Sequence, residues 1–88
     1  MPPKLHFIWA PGVRAELRKI ERDTAVRILL ALTRYARTGE GDVKSLEGRF
    51  TGSHRLRVGD WRVILELDVD ERTIIIERVL PRSRAYDR

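Results

Sequence analysis

Cysteine is absent from these 88 residues, which excludes disulfides and thiol chemistry and fits a cytoplasmic protein. Long apolar runs are missing as well. No stretch approaches the roughly 18 apolar residues a membrane span needs, so no membrane partner is expected. The first residues carry a very short apolar run with no small-residue cleavage pattern behind it, which argues against a secretory signal. Histidine is limited to His6 and His54, on strand-like stretches far apart. Without cysteine or a carboxylate–histidine cluster, no metal site is expected. Gly48 and Gly52 lack the strand–loop–helix setting of a phosphate-binding loop, and no internal repeat or low-complexity tract occurs. Lysine is scarce too: of the 18 basic residues only Lys4, Lys19 and Lys44 are lysines. Because arginine richness can reflect coding bias alone, the position of each arginine has to carry any argument built on it.

What is present fits one small domain over residues 1–88, with 82–88 as a polar tail. At this length about two-thirds of the chain surface can be buried, enough for a modest core. The formal charge of +5 and pI near 10.4 favour phosphate-rich or acidic partners. Residues 5–9 read as a short strand broken by Pro11 and Gly12. Val13, Leu17 and Ile20 follow at helical spacing. A second helix is expected to open with Asp23 as its cap, to carry a stripe of Ile28, Leu29, Leu32, Tyr35 and Ala36, and to stop at Gly39. Gly39 to Ser53 holds four glycines and no periodicity, and is read as a loop from which Leu46 tucks into the core. Beyond it the period changes to that of strands, at 54–58, 61–67 and 73–80, separated by Gly59-Asp60 and by 69–72. The expectation is an α+β fold: a short N-terminal strand, a helical hairpin, then a three-stranded antiparallel meander.

A two-residue turn at Gly59-Asp60 sets Val58 opposite Trp61, Arg57 opposite Arg62 and Leu56 opposite Val63. Alternation then sorts the faces. Leu56, Val58, Trp61, Val63, Leu65 and Leu67 face the helices, whereas Arg55, Arg57, Arg62, Ile64 and Glu66 face away. Like charges opposite one another cost a few tenths to about 1 kcal/mol, so the Arg57–Arg62 pair suggests a face built to hold an anion. Ordinary solvated arginines, paired with Glu66 and Glu77, are the alternative. Arg82, Arg84 and Tyr86 follow the last strand and can fold back over the same face. Guanidinium groups with an aromatic ring at their edge suit single-stranded RNA.

Residues 46–48, the hairpin from His54 to Ile64 and the ending from Glu77 to Tyr86 resemble the RelE/ParE superfamily of toxins, and its RelE branch in particular. Together with the order of elements, the likeness spans nearly the whole chain. The resemblance implies a toxin paired with a cognate antitoxin, acting as a ribosome-dependent endoribonuclease on mRNA without metal or cofactor. The family's basic hairpin positions match Arg55, Arg57 and Arg62, its arginine after the last strand matches Arg82, and its C-terminal tyrosine matches Tyr86. Well-studied relatives often carry lysines where this chain has Arg55 and Arg57, and a tyrosine where it has Trp61. Arginine does not deprotonate, so neither Arg55 nor Arg57 supplies a general base.

The implied chemistry is attack by a ribose 2′-hydroxyl on its adjacent phosphate, giving a 2′,3′-cyclic phosphate and a free 5′-hydroxyl. It needs in-line geometry, positive charge on the phosphorane and a proton relay. Arg62 and Arg82 are assigned to the phosphorane, Arg55, Arg57 and Arg84 to RNA binding, and Tyr86 to base stacking or the relay. The ParE branch offers the alternative: the same fold as a non-catalytic inhibitor of DNA gyrase.

Overall fold

The computed structural model describes residues 6–46 and 52–83. Along them run β1 (His6–Trp9), α1 (Val13–Arg18), α2 (Arg22–Thr38), β2 (Asp42–Ser45), β3 (His54–Val58), β4 (Trp61–Asp68) and β5 (Thr73–Pro81). The α+β class, the helical hairpin and the β3–β4–β5 meander are as the sequence predicts. The sheet itself is larger. It has five strands in the order β1-β5-β4-β3-β2, and β1 lies parallel to β5, so the sheet is mixed.

The extra strand, β2, falls in the stretch read as a loop. Its four residues pair with β3 from Asp42 opposite Arg57 to Ser45 opposite His54. A strand this short has no measurable alternation, and only Val43 of the four reaches the core. At the other edge, the N–H of His6 donates to the carbonyl of Arg72 at 2.8 Å and that of Ala10 to Ile76 at 2.8 Å, which fixes β1 against β5.

Gly12, at φ 89, turns the chain from β1 into α1 in a conformation that costs glycine least. The carboxylate of Glu16 on α1 then reaches across to β5, accepting from the backbone N–H of Val79 at 3.1 Å and from Arg78 Nε at 3.0 Å. It meets β5 beside a bulge, where Ile64 pairs with Arg78 but the next residue, Leu65, pairs with Ile76, leaving Glu77 unopposed.

The second helix starts one residue before the expected cap. Glu21 holds the cap position without a side-chain bond, and Asp23 sits in the first turn, where a carboxylate still favours the positive end of the helix. The helix ends as predicted at Gly39, φ 75, whose N–H donates to Tyr35 at 2.9 Å. Ile28 and Leu32 are fully buried, but Leu29 is turned outward and Ala25 takes its place against the core. Both helices cover the same side of the sheet as Leu56, Val63, Leu65, Ile74, Ile76 and Val79. Complete burial of a large aliphatic side chain is worth about 1.5–3 kcal/mol, so this set is the main source of stability.

Leu46 packs elsewhere than expected. It lies against Ile64 and Leu80, a second and smaller apolar cluster on the side away from the helices.

Candidate nucleic-acid interface

The hairpin register is the one that a turn at Gly59-Asp60 predicts: Val58 opposite Trp61, Arg57 opposite Arg62, Leu56 opposite Val63, Arg55 opposite Ile64. Gly59 has φ 58, the left-handed geometry that such a turn asks of its first residue. Combining the pairings of neighbouring strands gives two rows across the helix-free face. One runs Asp42, Arg57, Arg62, Leu80, and the other runs Lys44, Arg55, Ile64, Arg78.

The face is less open than its sequence suggests. Arg57 is exposed, but Arg55 and Arg62 retain only 9% and 6% of their accessibility. The physical reason lies in residues that sequence spacing could not bring together. β2 places Asp42 beside β3, where its carboxylate meets Arg57 Nε at 3.0 Å and Arg55 Nη2 at 3.5 Å. The like-charge conflict between Arg57 and Arg62 is thus relieved from within the chain, without a ligand. Arg62 solves its burial differently, folding its guanidinium onto the turn so that Nη1 donates to the carbonyls of Gly59 and Trp61, both at 2.9 Å. Its Nε is buried with no hydrogen-bond partner among the described residues.

The same turn holds Arg82. The backbone N–H of Arg82 donates to the carbonyl of Asp60 at 2.7 Å, pinning the chain as it leaves β5 after Pro81. The side chain of Arg82 is exposed. Arg62 and Arg82 therefore share one anchor, Gly59 to Trp61, although twenty residues separate them in the chain. Arg84 and Tyr86 lie outside the described residues.

Other candidates settle into supporting roles. His54 is half-buried opposite Leu65 on the helix side of the sheet. Glu77, the unopposed bulge residue, accepts a hydrogen bond from Ser53 Oγ at 2.6 Å. Asp68 accepts the backbone N–H of Glu71 at 3.1 Å and shapes the β4–β5 turn. Among the described residues no cluster of three or more His, Asp or Glu side chains could hold a metal ion, and no helix is long and apolar enough to cross a membrane. Two residues stand out that the sequence did not mark, Asp42 and Glu16. Asp42 lay within a supposed loop, and Glu16 falls outside the apolar spacing of Val13, Leu17 and Ile20.

Chemically, the exposed guanidinium groups of Arg57 and Arg82 suit anions in general. The arginines supply no proton acceptor.

A sheet with a helical hairpin on one side and arginines gathered at a hairpin turn on the other is the fold of the RelE/ParE toxins. The family model for the ParE toxin of type II toxin–antitoxin systems, parDE, matches residues 7–86, and the chain belongs to this family. No curated protein matches it in sequence. Among solved structures it is similar to a chain of the archaeal RelE–RelB complex from Pyrococcus horikoshii, with TM-score 0.77 and 27% identity over 94% of this chain and 100% of that one. The RelB–RelE antitoxin–toxin complex from Methanococcus jannaschii gives TM-score 0.71 and 26% identity, covering 91% and 95%. The RelBE2 toxin–antitoxin complex from Mycobacterium tuberculosis gives TM-score 0.78 and 21% identity, covering 91% and 100%.

Proposed function

We propose that this toxin is an endoribonuclease of the RelE kind, cutting mRNA on the ribosome by 2′-hydroxyl attack on the adjacent phosphate. The observation that carries this reading is the anchoring of the Arg62 guanidinium and of the Arg82 backbone on the same Gly59–Trp61 turn. A fixed charge placed before substrate arrives costs no reorganisation during the reaction. Arg57 is the exposed phosphate contact, Arg55 supports it from beneath, and Arg84 and Tyr86 complete the RNA path from the tail. The resemblance to RelE chains rather than the family description favours catalysis over simple binding.

A ParE-type inhibitor of DNA gyrase is the second reading. It is favoured by the family's description and by the burial of Arg55 and Arg62, which a purely protein-binding toxin tolerates. Toeprinting of mRNA on translating ribosomes, beside a gyrase supercoiling assay, separates the two. Cleavage products on ribosomes with unchanged supercoiling support the nuclease; lost supercoiling with intact mRNA supports the inhibitor.

The partner that restrains this toxin is an antitoxin, as in the toxin–antitoxin complexes it resembles. Val26, Leu29 and Leu30 form an apolar strip on α2, and Leu30 is 64% exposed. Arg22 and Arg37 share that side of the helix, at spacings of four and seven from Val26 and Leu30. An acidic amphipathic helix complements such a strip. Leu30→Glu is expected to abolish co-purification of the product of the neighbouring reading frame while the melting temperature holds.

A further inference from the structure

We propose that Asp42 is an internal competitor for the anion site of this face: its carboxylate occupies the place on Arg57 that a phosphate of RNA must take. The proposal rests on the RNA-binding reading for its ligand. Its physical basis is independent of that reading. Asp42 lies directly opposite Arg57 in the β2–β3 ladder, with 3.0 Å between Oδ2 and Nε, and its other oxygen is 3.5 Å from Arg55 Nη2. One carboxylate between two guanidinium groups presents a single negative charge shared over two oxygens, as the edge of a phosphodiester does. The contact is exchangeable. The side chains of Arg57 and Asp42 are 57% and 52% exposed, so water and salt screen the pair and a phosphate displaces the carboxylate at small cost.

Two consequences follow for a chain with a strong basic surface. In the absence of ligand, Asp42 neutralises part of the arginine face, so stray polyanions are held less tightly. On binding, the displaced carboxylate remains near the incoming phosphate and repels it, so the arginine pair discriminates against ligands that do not bring further contacts, such as those at Arg82 and the tail.

The test compares wild type with Asp42→Asn, Arg57→Gln and the double variant. Asp70→Asn serves as a charge control: it makes the same change in net charge from the β4–β5 turn, at the far end of β4 from the Gly59-Asp60 turn. Two probes are titrated across a salt series, a fluorescent single-stranded oligoribonucleotide and inorganic pyrophosphate, and the Arg57 Nε–H resonance is followed by NMR. Asp42→Asn is expected to tighten both probes by about two- to five-fold, the scale of releasing one exposed ion pair. The gain should exceed that of Asp70→Asn and vanish in the Arg57→Gln background. In wild type, pyrophosphate should shift the Arg57 Nε–H resonance as the carboxylate leaves. If the gain merely equals that of Asp70→Asn, or if Asp42→Asn weakens binding, Asp42 is not a competitor and the proposal falls, while oligoribonucleotide binding by wild type would leave the RNA reading intact. A pyrophosphate gain at Arg57 with no oligoribonucleotide binding by any variant would keep the competition and remove RNA as its object. Should Asp42→Asn disturb the edge strand, Asp42→Thr, a better strand former, repeats the measurement.

Discussion

The two faces of the sheet are built from the same strands by different physics. On the helix side the row Leu56, Val63, Val79 is closed by hydrocarbon alone, and all three side chains are buried. On the other side the row Asp42, Arg57, Arg62, Leu80 mixes an exposed ion pair, a buried guanidinium bonded to backbone carbonyls and an apolar residue. Burial on the first face follows from residue type. Burial on the second depends on which distant group arrives as a partner.

The largest expected effect tests the first face. Leu65→Ala removes a fully buried side chain of the main core and should cost about 2–5 kcal/mol, lowering the melting temperature by at least about 8 °C for a domain of this size. Ile64→Ala, its neighbour on the opposite face, empties a cluster in which, among the described residues, Ile64 and Leu80 are the buried members, so its cost should lie at the low end of that range. Equal losses in thermal unfolding would mean that the arginine side carries a second core of comparable weight.

Next in size is Arg82, where the comparison turns from folding to rate. If this side chain holds developing charge on the phosphorane, Arg82→Ala lowers single-turnover cleavage by about two to three orders of magnitude, while ribosome affinity falls far less. Arg82→Lys restores only part, because a point charge cannot make the two-pronged contact of a guanidinium. Equal losses in rate and affinity would reduce Arg82 to steering RNA. Glu16→Ala comes third. It strips the Val79 N–H and Arg78 of their acceptor and should cost about 1–3 kcal/mol in chemical denaturation. A negligible cost would show that water replaces the carboxylate beside the bulge.

The difference between the faces also explains what could be read in advance. Alternation from Leu56 to Leu67, interrupted at Ile64 and by a two-residue turn, was enough to set register and core, because a slip by one residue would turn Leu56, Val63 and Leu65 away from the helices. The second helix was legible for its spacing and for Gly39. β2 was not, since four residues with one inward valine between glycines carry no periodicity. Losing β2 meant losing Asp42, and with it the carboxylate that meets both Arg55 and Arg57. Arg62 illustrates a different limit: its acceptors are backbone carbonyls of the adjacent turn, which no residue pattern encodes. The parallel pairing of β1 with β5 is a contact between chain segments more than sixty residues apart, and only tertiary geometry supplies it.

The smallest predicted effect is the most direct probe of the arginine face, and it concerns Arg57→Thr. Removing Arg57 loses an ion pair with Asp42, but both partners are about half exposed and such pairs are worth about 0–1 kcal/mol. Against that loss stand two gains. Whatever repulsion from Arg62 across the ladder Asp42 leaves uncompensated disappears, and threonine is the better strand former at an exposed strand position. The terms nearly cancel, so stability should stay within about 0.5 kcal/mol and the melting temperature within about 4 °C. Binding of RNA or ribosomes should weaken over the same change, because Arg57 is the exposed guanidinium of the row. A marked fall in melting temperature would show that the Asp42–Arg57 contact holds β2 to the sheet. The helix-free face would then be a structural face like its opposite, closed by charge instead of hydrocarbon.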